Sequence, residues 1–335
     1  MKIYISFYLL ILLLFFSCEQ EVNLDLNSYE NQIVVEGYIQ EGYPAYVFLT
    51  SSENYFNVID TNTLNNLIIS DARVVVERDD GLIHELTYIG SNFLDSLDIS
   101  DTINVPTKAL YLDLSYLENN FSQTGHKYKL NIVWRNKVIS STTIIPPKYP
   151  IDSIWVKRKE PDNNHKCYIW GQMNDPDTLG NSILAHYKRD LGWKPIDPIY
   201  VPCAIIARTD NIINGQNFST YFSRSGTVQN EDGVFLPFDA QRLVDGKLVQ
   251  EDIVILRIAH VDINTYNFFR STYLMQNSNN NPFAEPMNLS SNVNGGLGIW
   301  AGLGVSYYYI PIVPDTVIKD SYNNNFQEIK IHEIF

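Results

Sequence analysis

The sequence lacks the motifs that mark several large classes of enzyme and metalloprotein. It contains no His-Glu-x-x-His pair for zinc, no Gly-x-Ser-x-Gly turn for a nucleophilic serine and no glycine-rich phosphate loop ending in Lys-Ser or Lys-Thr. The six histidines are scattered, and no two lie within four positions of each other. We therefore expect a non-catalytic protein that holds no metal or other cofactor.

Cysteine is scarce, with three residues in a chain of 335. Cys18 directly follows an apolar run near the start of the chain, and Cys167 and Cys203 lie in apolar, strand-like runs. A cell-envelope compartment would permit a disulfide between Cys167 and Cys203. Two buried reduced thiols explain this pair about as well, so the sequence leaves both alternatives open.

Basic residues are fewer than acidic ones, 24 against 38, and the formal net charge is −14. Nucleic acids and anionic lipid surfaces repel a chain of this charge. The charge therefore argues against nucleic acid as a partner, and it carries no information about the fold.

An apolar run, Ile3 to Phe16, follows the single basic residue Lys2. It is shorter than the about 20 apolar residues that span a bilayer, and it has the form of a secretory signal. The motif Leu14-Phe15-Phe16-Ser17-Cys18 resembles a lipobox, in which the cysteine is acylated after cleavage. We predict a signal peptide over residues 1–17 and a lipidated tether over 18–30 that attaches to the membrane leaflet through Cys18. The alternative is a cleaved signal followed by a cysteine that is there by coincidence.

The composition favours sheet over helix, because it is rich in aromatic and β-branched residues. Short strand patterns separated by turns predict an immunoglobulin-like β-sandwich over residues 31–146. Three prolines in five residues then predict a linker over 147–151. Residues 152–335 are predicted to form a second β-rich domain with one helix, which begins after Asp262 as its N-cap.

Four tryptophans are weighed as surface contacts: Trp155, Trp170, Trp193 and Trp300. Exposed tryptophan stacks on sugars and anchors protein interfaces, but tryptophan in a sheet-rich domain is more often part of the core. The loop around Trp193 is the best candidate for an exposed contact. The segment 281–300 is the other, and it marks Phe283 and Trp300 as candidate contacts with a ligand or partner.

Three further features have ordinary structural explanations. His260 lies in an apolar run and is expected to be a core residue with satisfied hydrogen bonds. The oxygens of Asn174-Asp175-Pro176-Asp177-Thr178 fit a turn better than a calcium loop. The glycines of 295–304 predict a bulge or a close approach of two backbones.

Several segments follow one another in the order of a known family. The chain resembles the Bacteroidota lipoprotein family known as domain of unknown function 4249. The segments that carry the resemblance are the lipobox followed by Glu19, Ile33-Val34-Val35-Glu36-Gly37, Asp71-Ala72-Arg73-Val74, Gly125-His126-Lys127-Tyr128-Lys129-Leu130, Ile144-Ile145-Pro146, Asn281-Pro282-Phe283-Ala284-Glu285-Pro286 and Ser291-Asn292-Val293-Asn294-Gly295-Gly296-Leu297-Gly298-Ile299-Trp300.

The resemblance implies a location and a partner. Members resemble outer-membrane lipoproteins whose genes often neighbour TonB-dependent transporters, and Glu19 and Glu21 resemble signals for export to the cell surface. The expectation is a surface-exposed outer-membrane lipoprotein that assists a TonB-dependent transporter by binding. The alternatives are an adhesin-like interaction protein and an enzyme whose site is built from residues distant in sequence.

Overall fold

Strands dominate the chain, which confirms the mainly β prediction. The structure is a computed structural model. It describes residues 31–53, 66–90, 109–116, 120–158, 167–177, 180–190, 201–209, 214–222, 241–244, 247–250, 253–278, 288–311 and 316–318. The strands in the first half are β1 (Ile33–Gln40), β2 (Tyr46–Ser51), β3 (Arg73–Arg78), β4 (Ile83–Ile89), β5 (Leu110–Leu112), β6 (Lys127–Trp134), β7 (Lys137–Ile144) and β8 (Ile151–Arg158).

The second half continues the strands and adds the predicted helix. Its strands are β9 (Cys167–Asn174), β10 (Ser182–Asp190), β11 (Val201–Thr209), β12 (Asn217–Phe222), β13 (Gln241–Val244), β14 (Lys247–Gln250), β15 (Ile253–Val261), β16 (Leu297–Pro311) and β17 (Thr316–Ile318). The helix α1 spans Ile263–Ser278.

Local sequence explains most of these elements. In β1, Ile33, Val35 and Ile39 are buried while Glu36 is exposed, which is the alternation expected of a half-buried strand. The hairpin from β3 to β4 turns at Gly81, whose φ of 89° is accessible to glycine without steric cost.

The strands form one large mixed sheet, one small sheet and one hairpin. The large sheet has 11 strands in the order β11-β10-β15-β16-β1-β2-β5-β4-β3-β6-β7. Its β1 and β16 are parallel, and its other neighbours are antiparallel. The small sheet has the order β12-β9-β8-β17, and β13 pairs with β14.

The large sheet curls so that β7, at its far edge, meets the chain around β16. Ser140 and Asn294 form an isolated antiparallel bridge, with N–H to O=C distances of 3.0 and 2.8 Å. The Ser141 hydroxyl donates to the Asn292 carbonyl (2.8 Å), and the backbone N–H of Gly302 donates to Oγ1 of Thr143 (2.8 Å). We call this contact between β7 and residues 292–304 the seam.

Glycine is required at the seam because the backbones approach too closely for a side chain. A Cβ at Gly302 would overlap the carbonyl oxygen of Ile144, and one at Gly304 would overlap that of Pro146. The same holds outside the seam, where a Cβ at Gly298 (φ 109°) would overlap the carbonyl of Val35 on the paired strand β1. The prediction of a close backbone approach is thus confirmed.

The curl encloses the first hydrophobic core. Trp300 lies at its centre with no exposed surface, and its partner in the parallel register is Gly37 on β1. The buried members of this core are Ile33, Val35, Ile39, Ala45, Val47, Leu49, Ile69, Val74, Val76, Leu86, Tyr111, Phe121, Tyr128, Leu130, Ile132, Ile139, Ile145, Val293 and Trp300.

Two more cores cover opposite faces of the other half of the large sheet. The second core lies between the small sheet and the large sheet, where Ile154 and Ile169 of the small sheet join Leu256 and Tyr308 of the large one. The third core lies on the other face, where Tyr266 of α1 packs with residues of β10, β15 and β16.

Asp262 is the N-cap of α1, as predicted. Its Oδ1 accepts a hydrogen bond from the backbone N–H of Thr265 (2.8 Å), which satisfies one of the free donors of the first turn. Its Oδ2 accepts from the Thr143 hydroxyl (2.8 Å), which ties the helix to β7 next to the seam.

Strands from both predicted domains belong to the large sheet. The strands of residues 31–146 are consecutive hydrogen-bonded members of one curled sheet, and the first core contains residues from β1 and β2 as well as from β3, β6 and β7. This sheet also takes in β16 from the second predicted domain, and Gln32–Phe335 groups as one unit. The reason is the parallel pairing of β1 with β16, which local sequence pattern does not reveal.

The proline-rich stretch 147–151 follows the end of β7 and is held by contacts with other parts of the chain. The backbone N–H of Tyr149 donates to Nε2 of His260 (3.4 Å), and that of Ile151 donates to the Tyr308 hydroxyl (2.8 Å). Lys148 pairs with Glu41. These contacts fix the stretch to the large sheet.

Candidate functional site

The outer face of the small sheet carries a row of aromatic side chains. Along β8, Ile154 and Val156 point into the second core, so Trp155 between them points the other way. In the register, Trp155 lies opposite Trp170 of β9, and Trp170 lies opposite Tyr221 of β12. Three neighbouring strands thus present one aromatic residue each.

The rings are in mutual contact. Trp155 and Trp170 are nearly parallel, with an interplanar angle of 12° and centroids 6.2 Å apart. The ring centroids of Trp170 and Tyr221 lie 5.3 Å apart, and those of Tyr168 and Tyr221 lie 5.2 Å apart. We call these four residues the aromatic row. Tyr221 is 38% exposed and the other three are half-buried.

A parallel row of polar side chains lies beside the aromatic row. Ser153, Gln172 and Ser219 occupy matching positions on β8, β9 and β12. The Gln172 amide donates to Oδ1 of Asn217 (2.8 Å), which holds the amide on this face. We call Ser153, Gln172 and Ser219 the polar row, and it offers hydroxyl and amide groups next to the rings.

One polar atom of the aromatic row lacks a partner. The Nε1–H of Trp170 is buried and has no hydrogen-bond acceptor within the described ranges. A buried donor without an acceptor costs free energy, and such an atom in a native structure calls for an explanation.

The outer face differs from the usual solvent-facing side of an antiparallel sheet, which is polar. Aromatic side chains that are partly exposed and contiguous mark contact surfaces more often than isolated ones do. The arrangement is therefore suited to stacking and hydrogen bonding with a bound molecule.

Residues 19–307 match the family described as Domain of unknown function (DUF4249). The chain belongs to this family. No curated protein matches the chain. The match includes β8, β9 and β12, so the outer face of the small sheet lies within the DUF4249 region.

The segment of this DUF4249 chain that is expected to contact a ligand has another role at Trp300. This residue is completely buried in the first core, and its Nε1–H donates to the carbonyl oxygen of Tyr128 (3.0 Å). The Asn292 side chain clamps its backbone, accepting from the Trp300 N–H (3.0 Å) and donating to the Trp300 carbonyl (2.8 Å). The expectation that Trp300 contacts a partner is corrected, because its strand faces the enclosed core at that position.

The other predicted site residues lie either in a core or outside the residues that the structure describes. Cys203 is buried in the second core, and its predicted disulfide with Cys167 stays a prediction. The side chain of Cys167 lies outside the described residues, as do Cys18, Trp193 and Phe283.

His260 has the structural role that its apolar context predicts. Its Nδ1 lies 3.3 Å from the carbonyl oxygen of Gly304, and its Nε2 accepts from the backbone N–H of Tyr149. Burial is the main cause that lowers the pKa of His260 to about 4, and the charge of Lys148 adds to it, while the bond to Gly304 opposes it. The neutral ring therefore joins β15, β16 and the proline-rich stretch.

The turn at Asn174–Thr178 also has a structural explanation. Oδ1 of Asp177 accepts from the Asn214 amide (3.2 Å), and Oδ2 of Asp175 accepts from the Gly215 N–H (3.3 Å). Within the described ranges, no group of three or more His, Cys, Asp or Glu side chains is placed to hold a metal ion. In the same part of the chain, we find no helix with the length and apolar character needed to cross a membrane.

A second polar cluster lies on the face of the large sheet that carries the third core. Arg257 donates to Oε1 of Gln40 (3.4 Å), whose amide donates to the Tyr307 hydroxyl (3.5 Å). His186 lies opposite Arg257 in the register, and burial followed by the charge of Arg257 lowers its pKa to about 3. Burial raises the pKa of Tyr46. The hydrogen bonds of Arg257, Gln40 and Tyr307 join β1, β15 and β16, so we assign this cluster a structural role.

Residue type alone does not separate the tryptophans of the outer face from Trp300 in the core. It favours the core for Trp155 and Trp170, and it gives no reason to single out Tyr168 or Tyr221. A signal is present in the alternation of β8, where Ile154 and Val156 already fill the inward positions. In β16, apolar residues occupy both faces, so the side of Trp300 cannot be chosen this way.

Proposed function

We propose that this protein is a surface-exposed outer-membrane lipoprotein that binds a ligand without catalysis and assists a TonB-dependent transporter. The observation that carries the proposal is the outer face of the small sheet, where the aromatic row and the polar row lie side by side. A rigid sheet is a suitable scaffold for such a surface, because the positions of its side chains are fixed by the strand register.

The membrane anchor rests on the sequence. Lys2, the apolar run that follows and the motif ending in Cys18 are what a lipoprotein signal requires. Acylation of Cys18 would hold the folded unit at the membrane surface, with residues 18–30 as the tether. A binding surface tethered in this way concentrates its ligand next to any transporter in the same membrane.

The transporter partner rests on the resemblance to lipoproteins whose genes neighbour TonB-dependent transporters. An adhesin-like protein would use the same anchor and the same outer face, but it would have no transporter partner. Isolation of the native complex separates these two functions.

The experiment is a mild-detergent purification of the tagged full-length protein from its own outer membrane, with partners identified and quantified by mass spectrometry. The proposal predicts a TonB-dependent transporter in near-equal amount. Recovery of the protein alone, or with host or matrix proteins only, would contradict the transporter role.

A matched pair of cysteine variants tests the anchor. Cys18→Ser is expected to abolish acylation and release the protein from the membrane, whereas Cys167→Ser should remain acylated and membrane-bound. The intact mass of each purified protein and its distribution between membrane and soluble fractions provide the readout. A Cys18→Ser protein that still carries the mass of the lipid would overturn the lipid attachment.

A further inference from the structure

The outer face of the small sheet has the chemistry of a carbohydrate site. We propose that the aromatic row and the polar row together bind an uncharged oligosaccharide or polysaccharide. This inference rests on the proposed binding function and names its ligand class.

The first argument is the pairing of the two rows. A pyranose ring has an apolar face of C–H groups and a rim of hydroxyl groups. Trp155, Trp170 and Tyr221 offer ring surface for the C–H face, since aromatic side chains combine a large apolar body with a polar edge. Gln172 and Ser219 lie one row away, where they can exchange hydrogen bonds with hydroxyl groups.

The second argument is charge. The aromatic row and the polar row contain no charged side chain, and the exposed charged residues next to them are of opposite sign: Lys157, opposite Tyr168, and Asp152, which precedes Ser153. The whole chain carries a formal net charge of −14, which disfavours an anionic ligand. A neutral sugar chain meets both conditions.

The third argument is size. The aromatic row crosses three strands, and neighbouring strands are about 4.8 Å apart, which makes the row about 10 Å long from end to end. This length suits two or more linked sugar rings and exceeds a single one. A protein partner would need a larger surface, because stable interfaces bury about 800 Å² on each side.

The fourth argument is the unpaired indole N–H of Trp170. It is the buried donor of the aromatic row that lacks an acceptor within the described ranges. This atom has almost no exposed surface, so a ligand hydroxyl would reach it only after the neighbouring rings shift on binding, and it would then supply the missing acceptor. Aliphatic ligands lack such an acceptor, so the unpaired donor favours a hydroxyl-rich molecule.

The test uses the full-length protein in detergent and a panel of neutral oligosaccharides: cello-, xylo-, manno-, malto- and N-acetylchito-oligosaccharides, each as the disaccharide and as a longer oligomer. Binding is measured by isothermal titration calorimetry and by retardation in gels that contain the matching polysaccharides. We expect at least one member of the panel to bind, with the longer oligomer binding more tightly than the disaccharide.

The deciding variant is Trp170→Ala combined with Tyr221→Ala. Loss of two stacking rings is expected to weaken binding at least about tenfold. The matched control is Trp134→Ala, which removes a partly buried tryptophan from β6, where its ring contacts Arg135 instead of the small sheet. The control should bind as the unchanged protein does, and melting curves of all three proteins establish that each is folded.

Three results would overturn the inference: no binding to any panel member at millimolar concentration, binding that survives the double variant, or capture of a protein at this face in place of a sugar. Failure here is distinguishable from failure of the proposed function. A transporter that copurifies with a protein that binds no sugar would refute only the carbohydrate ligand, and sugar binding without a transporter would refute only the partnership.

Discussion

The seam and the outer face of the small sheet both contain a tryptophan in a strand, and they use it in different ways. Trp300 at the seam has no exposed surface, and its indole N–H and backbone are all hydrogen-bonded. Trp170 on the outer face is half-buried, packs against other aromatic rings of that face, and leaves its N–H unpaired within the described ranges. The difference indicates that the seam serves folding and that the outer face is available for binding.

The comparison also shows why a distinctive sequence segment need not be a binding site. Residues 291–300 stand out because they combine glycine, asparagine and tryptophan. Each type is explained by closure of the curled sheet: glycine permits the close approach, Asn292 clamps the strand and Trp300 fills the core.

The largest effect is expected from Gly302→Ala at the seam. Its new Cβ would overlap the backbone carbonyl of Ile144, and a backbone atom cannot move aside without opening the seam. The free energy of unfolding should fall by more than about 4 kcal/mol, measured by urea denaturation followed by circular dichroism.

Gly90→Ala is the matched control for the seam. A Cβ there would meet the ring of Tyr88 at 3.5 Å, which is an ordinary van der Waals contact. Its unfolding free energy should change by less than about 1 kcal/mol. Equal losses for the two variants would remove the special role assigned to the seam.

The next effect is that of Trp300→Ala. It creates a cavity in the first core and leaves the Tyr128 carbonyl without its indole donor. A loss of about 3 to 4 kcal/mol is expected, measured by the same denaturation. A variant as stable as the unchanged protein would contradict the place of Trp300 in the core.

An intermediate effect should appear when the pH is lowered. The unfolded chain takes up a proton near the ordinary histidine pKa of 6.5, whereas His260 in the folded protein resists protonation until about pH 4. Stability should therefore be lost as the pH falls from 6.5 towards 4, by about 2 kcal/mol at pH 5 for this residue.

The variant His260→Gln tests the origin of this loss. Its side chain does not titrate, so the fall in unfolding free energy between pH 7.5 and pH 5 should be smaller than in the unchanged protein. Part of the pH dependence of the unfolding free energy should remain in this variant, because the pKa of His186 is also lowered. An identical pH dependence in the two proteins would show that His260 does not contribute.

A smaller effect on stability than that of Trp300→Ala is expected from Trp170→Ala on the outer face. It removes contacts with Trp155 and Tyr221 but opens no enclosed cavity. The unfolding free energy should fall by about 1 kcal/mol. A loss as large as that of Trp300→Ala would show that Trp170 belongs to a core instead of a binding surface.

Much of the local structure is predictable from the sequence, and the arrangement is not. Strand alternation locates the strands from β1 to β12 as well as β15 and β16, and Asp262 marks the start of α1. The pairing of β1 with β16 joins segments about 260 residues apart in the chain, and it depends on glycines that fit only once both strands are in place. Local patterns contain no signal for such a contact.

The site is less predictable than the fold for a related reason. The identity of a tryptophan does not fix its side of the sheet, and the aromatic row forms only when β8, β9 and β12 align in one register. Tyr221 gains significance only through its place opposite Trp170. The sequence therefore supplies the aromatic residues, but which of them lie side by side depends on the register of β8, β9 and β12.

The most direct test of the account is hydroxyl-radical footprinting of the intact, folded protein, with oxidation of each aromatic residue quantified by mass spectrometry. The account predicts that Trp155, Trp170 and Tyr221 are oxidised in the folded state, whereas Trp300 becomes reactive only after denaturation. Rapid oxidation of Trp300 in the folded protein, or complete protection of the outer face, would contradict the assignment of the seam to folding and the outer face to binding.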